Sequence, residues 1–588
     1  MIDNFEIAKI LTEIGEYLEM DEVAFKPQAY EKAASAIEVL DEPLKEIYQK
    51  GGLKALEKIP GVGASIAEKI EELLKTGRSK YYEQLRKKAP VNLSELTSVE
   101  GVGPKIIKKL YQKLRIRNLN DLEKAVRASK IRELEGFGQK SEENILKSIE
   151  FLRQGGQRFV LGFVYPQIEN IVNRLKKIKE VEKIEVAGSI RRMKETVGDL
   201  DILIVSEKSG PVMDFFVTMP EVQQVLAHGE TKSSVRLKNG MDADLRVVPK
   251  ESFGAALCYF TGSKEHNIAL REIAIKKGKL NEYGLFLADD RLASGKKKLS
   301  KNDKWQIIAG RTEEEIYRAL GLDYIEPEMR ENWGEIELAR KHQLPKLIGY
   351  DDLRGDLQIQ TDWTDGANSI EEYALAAKKM GLEYIAITDH TKTLAMTGGA
   401  DEKKLLRQMA FIDKLNKKFG GKPKILKGAE VNILKDGSLD IKDEVLAKLD
   451  IVAGAVHSHF NMSRQEMTQR ICQAMKNPYV DIIFHPTGRI ILRRPPYEVD
   501  IDEIIKTAKK TKTHLEIDAY PDRLDLKDEH VKKAIEAGVK LAIDSDAHSV
   551  SHLQYLKFGT AQARRGWATK NDIINSRSWS EMLKLLKK

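Results

Sequence analysis

Three times in the first 150 residues, an apolar position is followed by Gly-x-Gly and then by apolar residues three and four apart. The copies read IPGVGASIAEKIEELLKT at 59–76, VEGVGPKIIKKLYQKL at 99–114 and LEGFGQKSEENILKSI at 134–149. That spacing predicts an amphipathic helix after each glycine turn. In the middle of the chain the period changes. An alternating apolar run ends at Gly188-Ser189 and a helical turn follows. Strands are then predicted at Asp199-Leu-Asp-Ile-Leu-Ile and at Asp242-Ala-Asp-Leu-Arg-Val-Val. Beyond residue 350, short apolar runs alternate with helical segments such as SIEEYALAAKKMG. The strand-like runs are YIAITDH (384–390), KILKGAEVNI (424–433), DIVAGAVHSH (450–459), VDIIFHP (480–486), HLEID (514–518) and VKLAIDSDAH (539–548). This alternation predicts a parallel (β/α) barrel with its chemistry at the C-terminal ends of the strands.

Composition adds boundaries to this picture. A chain of 588 residues is too long for one core and predicts two to four domains. No apolar run approaches the roughly 18–20 residues that cross a bilayer, and the N-terminus does not read as a signal peptide. Two cysteines, Cys258 and Cys472, exclude a disulfide framework and a cysteine-based zinc site. The expectation is a cytoplasmic protein without a membrane partner. The net charge of +8 is mild, but its placement is not even. Residues 1–50 carry 5 Lys/Arg and 12 Asp/Glu, a net of −7. Residues 51–132 carry 19 and 9, a net of +10, which is a nucleic-acid signal inside the region of the repeats. Nine of the 11 histidines lie after residue 340, so the barrel has chemistry of its own.

Each Gly-x-Gly turn, at Gly61/Gly63, Gly101/Gly103 and Gly136/Gly138, sends a helix N-terminus and its N–H groups toward whatever lies in the turn. Phosphate suits that geometry, and Lys105 and Lys140 add charge to two of the copies. The pattern resembles the helix-hairpin-helix motif. Such contacts hold the DNA backbone without reading sequence.

Side chains alternate along a strand, so Asp199 and Asp201 project from one face. Two carboxylates in an apolar strand are costly unless a cation neutralises them. Asp244 offers a third, and hard oxygen donors suit Mg²⁺ (or Mn²⁺). Three carboxylates and two metals fit in-line phosphoryl transfer. Residues 1 to about 325 resemble a family X DNA polymerase of the DNA polymerase beta type. The matching motifs are Gly188-Ser189-x-Arg-Arg192, Gly198-Asp-Leu-Asp201, Asp244-Leu-Arg246, Tyr259-Phe-Thr-Gly-Ser263 and Asn281-Glu-Tyr. The resemblance implies that Asp199 and Asp201 bind both metals and Asp244 the catalytic one. It places Arg158, Ser189 and Arg192 on the triphosphate and Tyr259, Phe260 and Gly262 beside the deoxyribose. Asn267 would approach the base edge and Arg271 the template. Lys264 departs from the acidic residue of the beta enzyme.

The first 90 residues resemble the lyase domain of the same family. Lys69 falls at its Schiff-base position, and Lys26 and Tyr30 at its phosphate-binding and assisting positions. Ser65 replaces a helper lysine. Residues 350–575 resemble the polymerase and histidinol phosphatase (PHP) domain, a distorted seven-stranded barrel with three metals, Zn²⁺ or Mn²⁺. The ligands carried over are Asp365, His390, Glu430, His457, His485, Asp546 and His548. Where that family begins Asp-Leu-His-x-His, this chain reads Asp356-Leu-Gln358-Ile-Gln360. The resemblance puts the lost pair on one metal with Glu430 and Asp546. It puts His390, Asp365 and His548 on another, and Glu430, His457 and His485 on a third. An amide oxygen is a poor substitute for imidazole, so the expectation is an incomplete metal set and a weak or lost nuclease.

The fold expected is multidomain: helical helix-hairpin-helix domains, an α+β nucleotidyltransferase palm with a small thumb-like subdomain, and the barrel. The boundaries expected are 1–90, 91–155, 156–255, 256–325, a linker at 326–350 and the PHP domain at 351–575. The function expected is gap-filling DNA repair synthesis on gapped or nicked DNA with deoxynucleoside triphosphates, with possible 5′-deoxyribose phosphate lyase activity. The alternative is a metal-dependent 3′-5′ exonuclease or abasic-site endonuclease acting through the barrel.

Overall fold

The computed structural model describes residues 4–587, apart from 39, 41, 100, 155–157, 276–277, 288–305 and 395–396. The chain forms two compact units. One comprises Met1–Gly156, Tyr350–Gly559 and Asn571–Lys588, and the other Gln157–Gly349 and Thr560–Lys570.

The N-terminal part of the first unit is helical, as the period predicts. Its helices gather around two cores. One contains Ile7, Leu11, Tyr30, Val62, Ile66 and Ile70, and the other Val91, Leu96, Val102, Ile107, Leu122 and Ile145. In the first two Gly-x-Gly turns the middle residue, Val62 or Val102, is the buried one, so the glycines face outward. Gly61 sits at φ +79°, and a Cβ there would lie 2.9 Å from the backbone of Lys32 and Ala33, so the helix Lys26–Glu38 passes too close for any other residue.

The second unit holds a five-stranded sheet: β1 (Lys183–Val186), β2 (Asp199–Val205), β3 (Val222–His228), β4 (Lys232–Leu237) and β5 (Asp242–Val247). The order is β1-β2-β5-β4-β3, with only β2 and β5 parallel. Leu203 and Val205 pack against Phe253, Ala256 and Leu257 of the helix Phe253–Thr261. A second core joins Cys258, Leu270, Leu285, Ile316 and Tyr317. The stretch 326–350, expected as a linker, contributes Met329, Ile336 and Ala339 to that core. Its Arg330 is fully buried and donates to Glu313, which also accepts from Arg191 at 2.6 and 2.9 Å. Burial pushes the Glu313 carboxyl up, but the two guanidiniums outweigh it and hold it at about 2.

The remainder of the first unit is a parallel seven-stranded sheet in sequential order. Its strands are β6 (Gly355–Asp356), β7 (Tyr384–Ile387), β8 (Lys424–Asn432), β9 (Ile451–Ala455), β10 (Ile482–Ile483), β11 (His514–Asp518) and β12 (Leu541–Asp544). A parallel bridge between Ile359 and Ala547 brings the chain after β6 beside the chain after β12, closing the barrel. The core takes Tyr384, Leu426, Ile451, Ala453, Ile482 and Phe484, joined by Met582 and Leu586 from beyond residue 575. Six strands lie within the predicted apolar runs. The exception is β6, whose two residues make no apolar run in the sequence.

Candidate functional sites

Strands β2 and β5 run in register, with Asp199 opposite Asp242 and Asp201 opposite Asp244. The parallel pairing therefore puts Asp244 beside the Asp199/Asp201 face. Gly188 stands over them, and a Cβ on it would lie 3.0 Å from Asp201 Oδ2. Burial, then the charges of Asp199 and Asp244, push the Asp201 carboxyl up to about 6. Burial acts the same way on Asp244. There, hydrogen bonds from Lys232 (2.8 Å) and Ser234 (2.5 Å), with the charge of Arg246, outweigh it and hold the carboxyl low. Crowded oxygen donors, one of them biased toward protonation, fit divalent cations well.

The remaining residues expected at the nucleotide lie in the same unit, each held by its own neighbours. Ser189 lies in the short helix Gly188–Arg191. Arg158 donates to Thr196 Oγ1 at 2.9 Å and to the Thr196 carbonyl at 2.6 Å. Arg192 is held by Glu331 at 3.1 Å and by the carbonyl of Thr261, and a Cβ on Gly262 would lie 2.9 Å from its guanidinium. Arg565 donates to the Arg192 carbonyl and to Glu331. Phe260 lies under Arg246 at 4.6 Å, and Tyr259 under Arg271 at 5.1 Å. Asn267 donates to the Tyr259 carbonyl at 2.7 Å. Glu331, Arg565, Lys232 and Ser234 lie in no sequence motif: the first two reach Arg192 from far along the chain, and the other two reach Asp244 from the adjacent strand.

In the helical part, Lys69 Nζ donates to Ser65 Oγ and to the Ser65 carbonyl, both at 3.0 Å. It lies 6.0 Å from the Tyr30 ring centre and 5.0 Å from that of Tyr81, a neighbour the sequence did not reveal. Burial lowers its pKa, and Lys26 lowers it further. A lysine of lowered pKa is the form that attacks a carbonyl. The helices Ala64–Thr76 and Pro104–Leu114 begin at Gly63 and Gly103 without a side-chain cap. Gly101, Gly103 and Gly138 have open space where a Cβ would be, and Gly136 has only the end of Lys109 nearby. Lys105 and Lys140 are exposed. If these turns hold phosphates, replacing Lys105 and Lys140 by Ala reduces the slope of log affinity against log salt by about two. A salt titration of duplex binding measures it, and an unchanged slope would refute phosphate contacts by these lysines.

At the barrel mouth, Asp365, His390 and His548 each present a ligand atom within 4.8 Å of the others, and so do His390, Glu430 and His457. His390 thus belongs to both groups. His485 Nε2 joins the second, 2.9 Å from Glu430 Oε1. His457 Nδ1–H donates to Asn432 Oδ1 at 2.7 Å, which turns the other ring nitrogen toward Glu430 Oε1 at 3.0 Å. His548 Nδ1–H donates to the Asp546 carbonyl at 2.9 Å, which leaves its Nε2 facing Asp365 at 3.8 Å. An imidazole lone pair aimed at a carboxylate is unfavourable without a cation or proton between them, so these residues fit metal ions. His485 (φ 29°) and Asp546 (φ 48°) hold backbone angles unfavourable to side chains, as functional sites tend to.

The first-motif glutamines behave differently. Gln358 and Gln360 are fully buried, and their amide nitrogens donate to Glu430 Oε2 at 3.4 and 2.7 Å. Glu516, Asp518 and Asp544 of the barrel strands are also fully buried. Burial pushes all three carboxyls well up, helped by the charges of Asp518 and Asp544 at Glu516, of Asp546 at Asp518 and of Asp356 at Asp544.

Comparison with known proteins follows the same division. Residues 256–331 match the DNA polymerase beta thumb. Residues 2–79 match a helix-hairpin-helix domain and 93–150 a SAM-like helix-hairpin-helix tandem. Residues 356–520 match the PHP domain. The chain is 38% identical over 587 residues to the DNA polymerase/3′-5′ exonuclease PolX of Bacillus subtilis (strain 168), covering 99% of both chains. It is 26% identical over 353 residues to DNA polymerase lambda of Rattus norvegicus, 56% of each. A stretch of 191 residues is 38% identical to a probable phosphatase of Thermoanaerobacter sp. (strain X514), 31% of this chain and 73% of that one. Among the described residues, no helix is long and apolar enough to cross a membrane. A polymerase half, helix-hairpin-helix elements and a PHP barrel, aligned from end to end with one relative, place this chain in the PolX family of DNA polymerases, and it is a DNA-directed DNA polymerase.

Proposed function

We propose that this polymerase fills short gaps in nicked or gapped DNA during repair, by two-metal nucleotidyl transfer with deoxynucleoside triphosphates and Mg²⁺. The observation that carries the reading is the register of Asp199, Asp201 and Asp244 on adjacent parallel strands beneath Gly188. The three aspartates would hold the cations, which supply charge stabilisation and a more acidic primer hydroxyl. Ser189, Arg192 and Arg158 would bind the triphosphate, and Tyr259 and Phe260 would bound the sugar. The helical part would grip the DNA backbone and open abasic ends through Lys69. Two free cysteines accord with work in the cytoplasm.

A second reading is 3′-end trimming by the barrel, and the intact groups around His390 and Glu430 favour it. We take this activity as weak, because Gln358 and Gln360 cannot serve as imidazoles. One assay separates the readings. A gapped duplex labelled at the primer 5′ end is incubated with Mg²⁺ or Mn²⁺, with and without deoxynucleoside triphosphates. The expected result is extension to the end of the gap and little shortening without nucleotides. Shortening as fast as extension would overturn the ranking, and no extension would overturn the main reading.

A further inference from the structure

We infer that Arg523, with the amides of Gln358 and Gln360, permanently replaces the third metal ion of the barrel with a fixed organic cation. The inference rests on the reading of the barrel as a metal centre. By the family pattern, the third ion takes residues 358 and 360, Glu430 and Asp546. All four positions are engaged otherwise here. The two side chains are amides whose nitrogens, not oxygens, face Glu430 Oε2. The oxygens Gln358 Oε1 and Gln360 Oε1 are buried without a hydrogen-bond partner. Asp546 is paired with Arg523, whose Nε lies 3.4 Å from Asp546 Oδ2 and 3.5 Å from Asp518 Oδ2.

The charge balance explains the arrangement. Asp518 and Asp546 beside Arg523 are buried, and so are the carboxylates of Glu430, Glu516 and Asp544. In a metal-loaded centre a divalent ion would offset that charge. A guanidinium offers one charge but five donors, it is tethered to the chain, and it does not deprotonate. Amide N–H groups complete the offset at Glu430. Arg523 follows β11 in the turn Tyr520–Arg523 and borders a cavity of about 780 Å³ that Asp365, Asp546 and His548 also line. The other two metal groups do not involve Arg523, so they remain able to bind. The replacement is a set of three residues, and reversing only the glutamines leaves Asp546 occupied.

The test counts Zn²⁺ and Mn²⁺ per chain by elemental analysis after desalting into excess Mg²⁺, so that ions at the three aspartates are not counted. Four full-length proteins are compared: the unaltered chain, Gln358→His/Gln360→His, the same pair with Arg523→Gln, and Arg523→Lys. Expected are two ions in the unaltered chain, still two in the double variant, three in the triple variant and two in Arg523→Lys. The cooperative thermal unfolding of the barrel, read beside the two ions it keeps, reports its folding, since the polymerase site lies in the other unit and primer extension does not sense the barrel. A third ion in the unaltered chain or in the double variant overturns the inference, and these counts decide even if the triple variant does not fold. A folded triple variant that stays at two ions also overturns it. No Zn²⁺ or Mn²⁺ in any of the four overturns the metal-centre reading itself.

Discussion

Asp244→Ala lowers primer extension by several orders of magnitude while DNA affinity stays near that of the unaltered chain. Asp244 is held ready by Lys232, Ser234 and Arg246, opposite Asp201 in the β2–β5 register. On the proposed two-metal reading, its removal would leave Asp199 and Asp201 with an incomplete ligand set and take a carboxylate from beside the primer hydroxyl. Little of that loss falls on binding, because the glycine turns lie in the other unit. Single-turnover extension on a one-nucleotide gap, read beside equilibrium binding, makes the distinction. Extension within tenfold of the unaltered rate would sink the assignment. The neighbouring carboxylate adds a pH signature. Asp201 is raised from 3.8 to about 6, so below that pH a proton competes with the cation. The metal concentration needed for half-maximal extension should therefore rise as pH falls through 6. In the metal-free protein the sign for stability follows from the same shift. A carboxyl raised on folding costs stability as pH climbs between about 4 and about 6. Asp201→Asn should abolish extension yet raise the thermal midpoint of the metal-free chain at neutral pH.

Lys69→Ala removes the covalent adduct that borohydride traps on a nicked abasic 5′ end. The Schiff base needs an unprotonated amine, and Lys69 is lowered by burial and by Lys26. Ser65 holds the amine from one side, and Tyr30 and Tyr81 flank it. The same variant should extend a primer across a gap without an abasic end at the normal rate. Gel analysis of the trapped species checks the prediction. Equal trapping by Lys69→Ala would move the nucleophile elsewhere, and no trapping by the unaltered chain would mean that Ser65 does not replace the missing lysine.

Much of this molecule is local in origin and could be read along the chain. A helix following Gly-x-Gly is set by apolar spacing within about a dozen residues, and Val62 and Val102 are buried as that pattern requires. The common face of Asp199 and Asp201 is a property of any strand, and the barrel strands show as apolar runs because parallel strands are covered on both faces. What the tertiary structure decided lies between segments far apart in sequence. The sequence supplied Asp244, but only the parallel pairing of β2 with β5 put it opposite Asp201. Glu331 and Arg565 meet Arg192 from 139 and 373 residues away, and no periodicity encodes such a meeting. Residues 326–350 read as a linker because Pro327, Trp333 and Pro345 break the pattern, yet Met329, Ile336 and Ala339 find a core made by others. Arg523 follows the same logic. In the sequence it is one arginine after a Tyr-Pro-Asp turn, and only the closed barrel gives it two buried carboxylates to neutralise. Backbone period is fixed by neighbours in the chain, whereas charge compensation is fixed by neighbours in space.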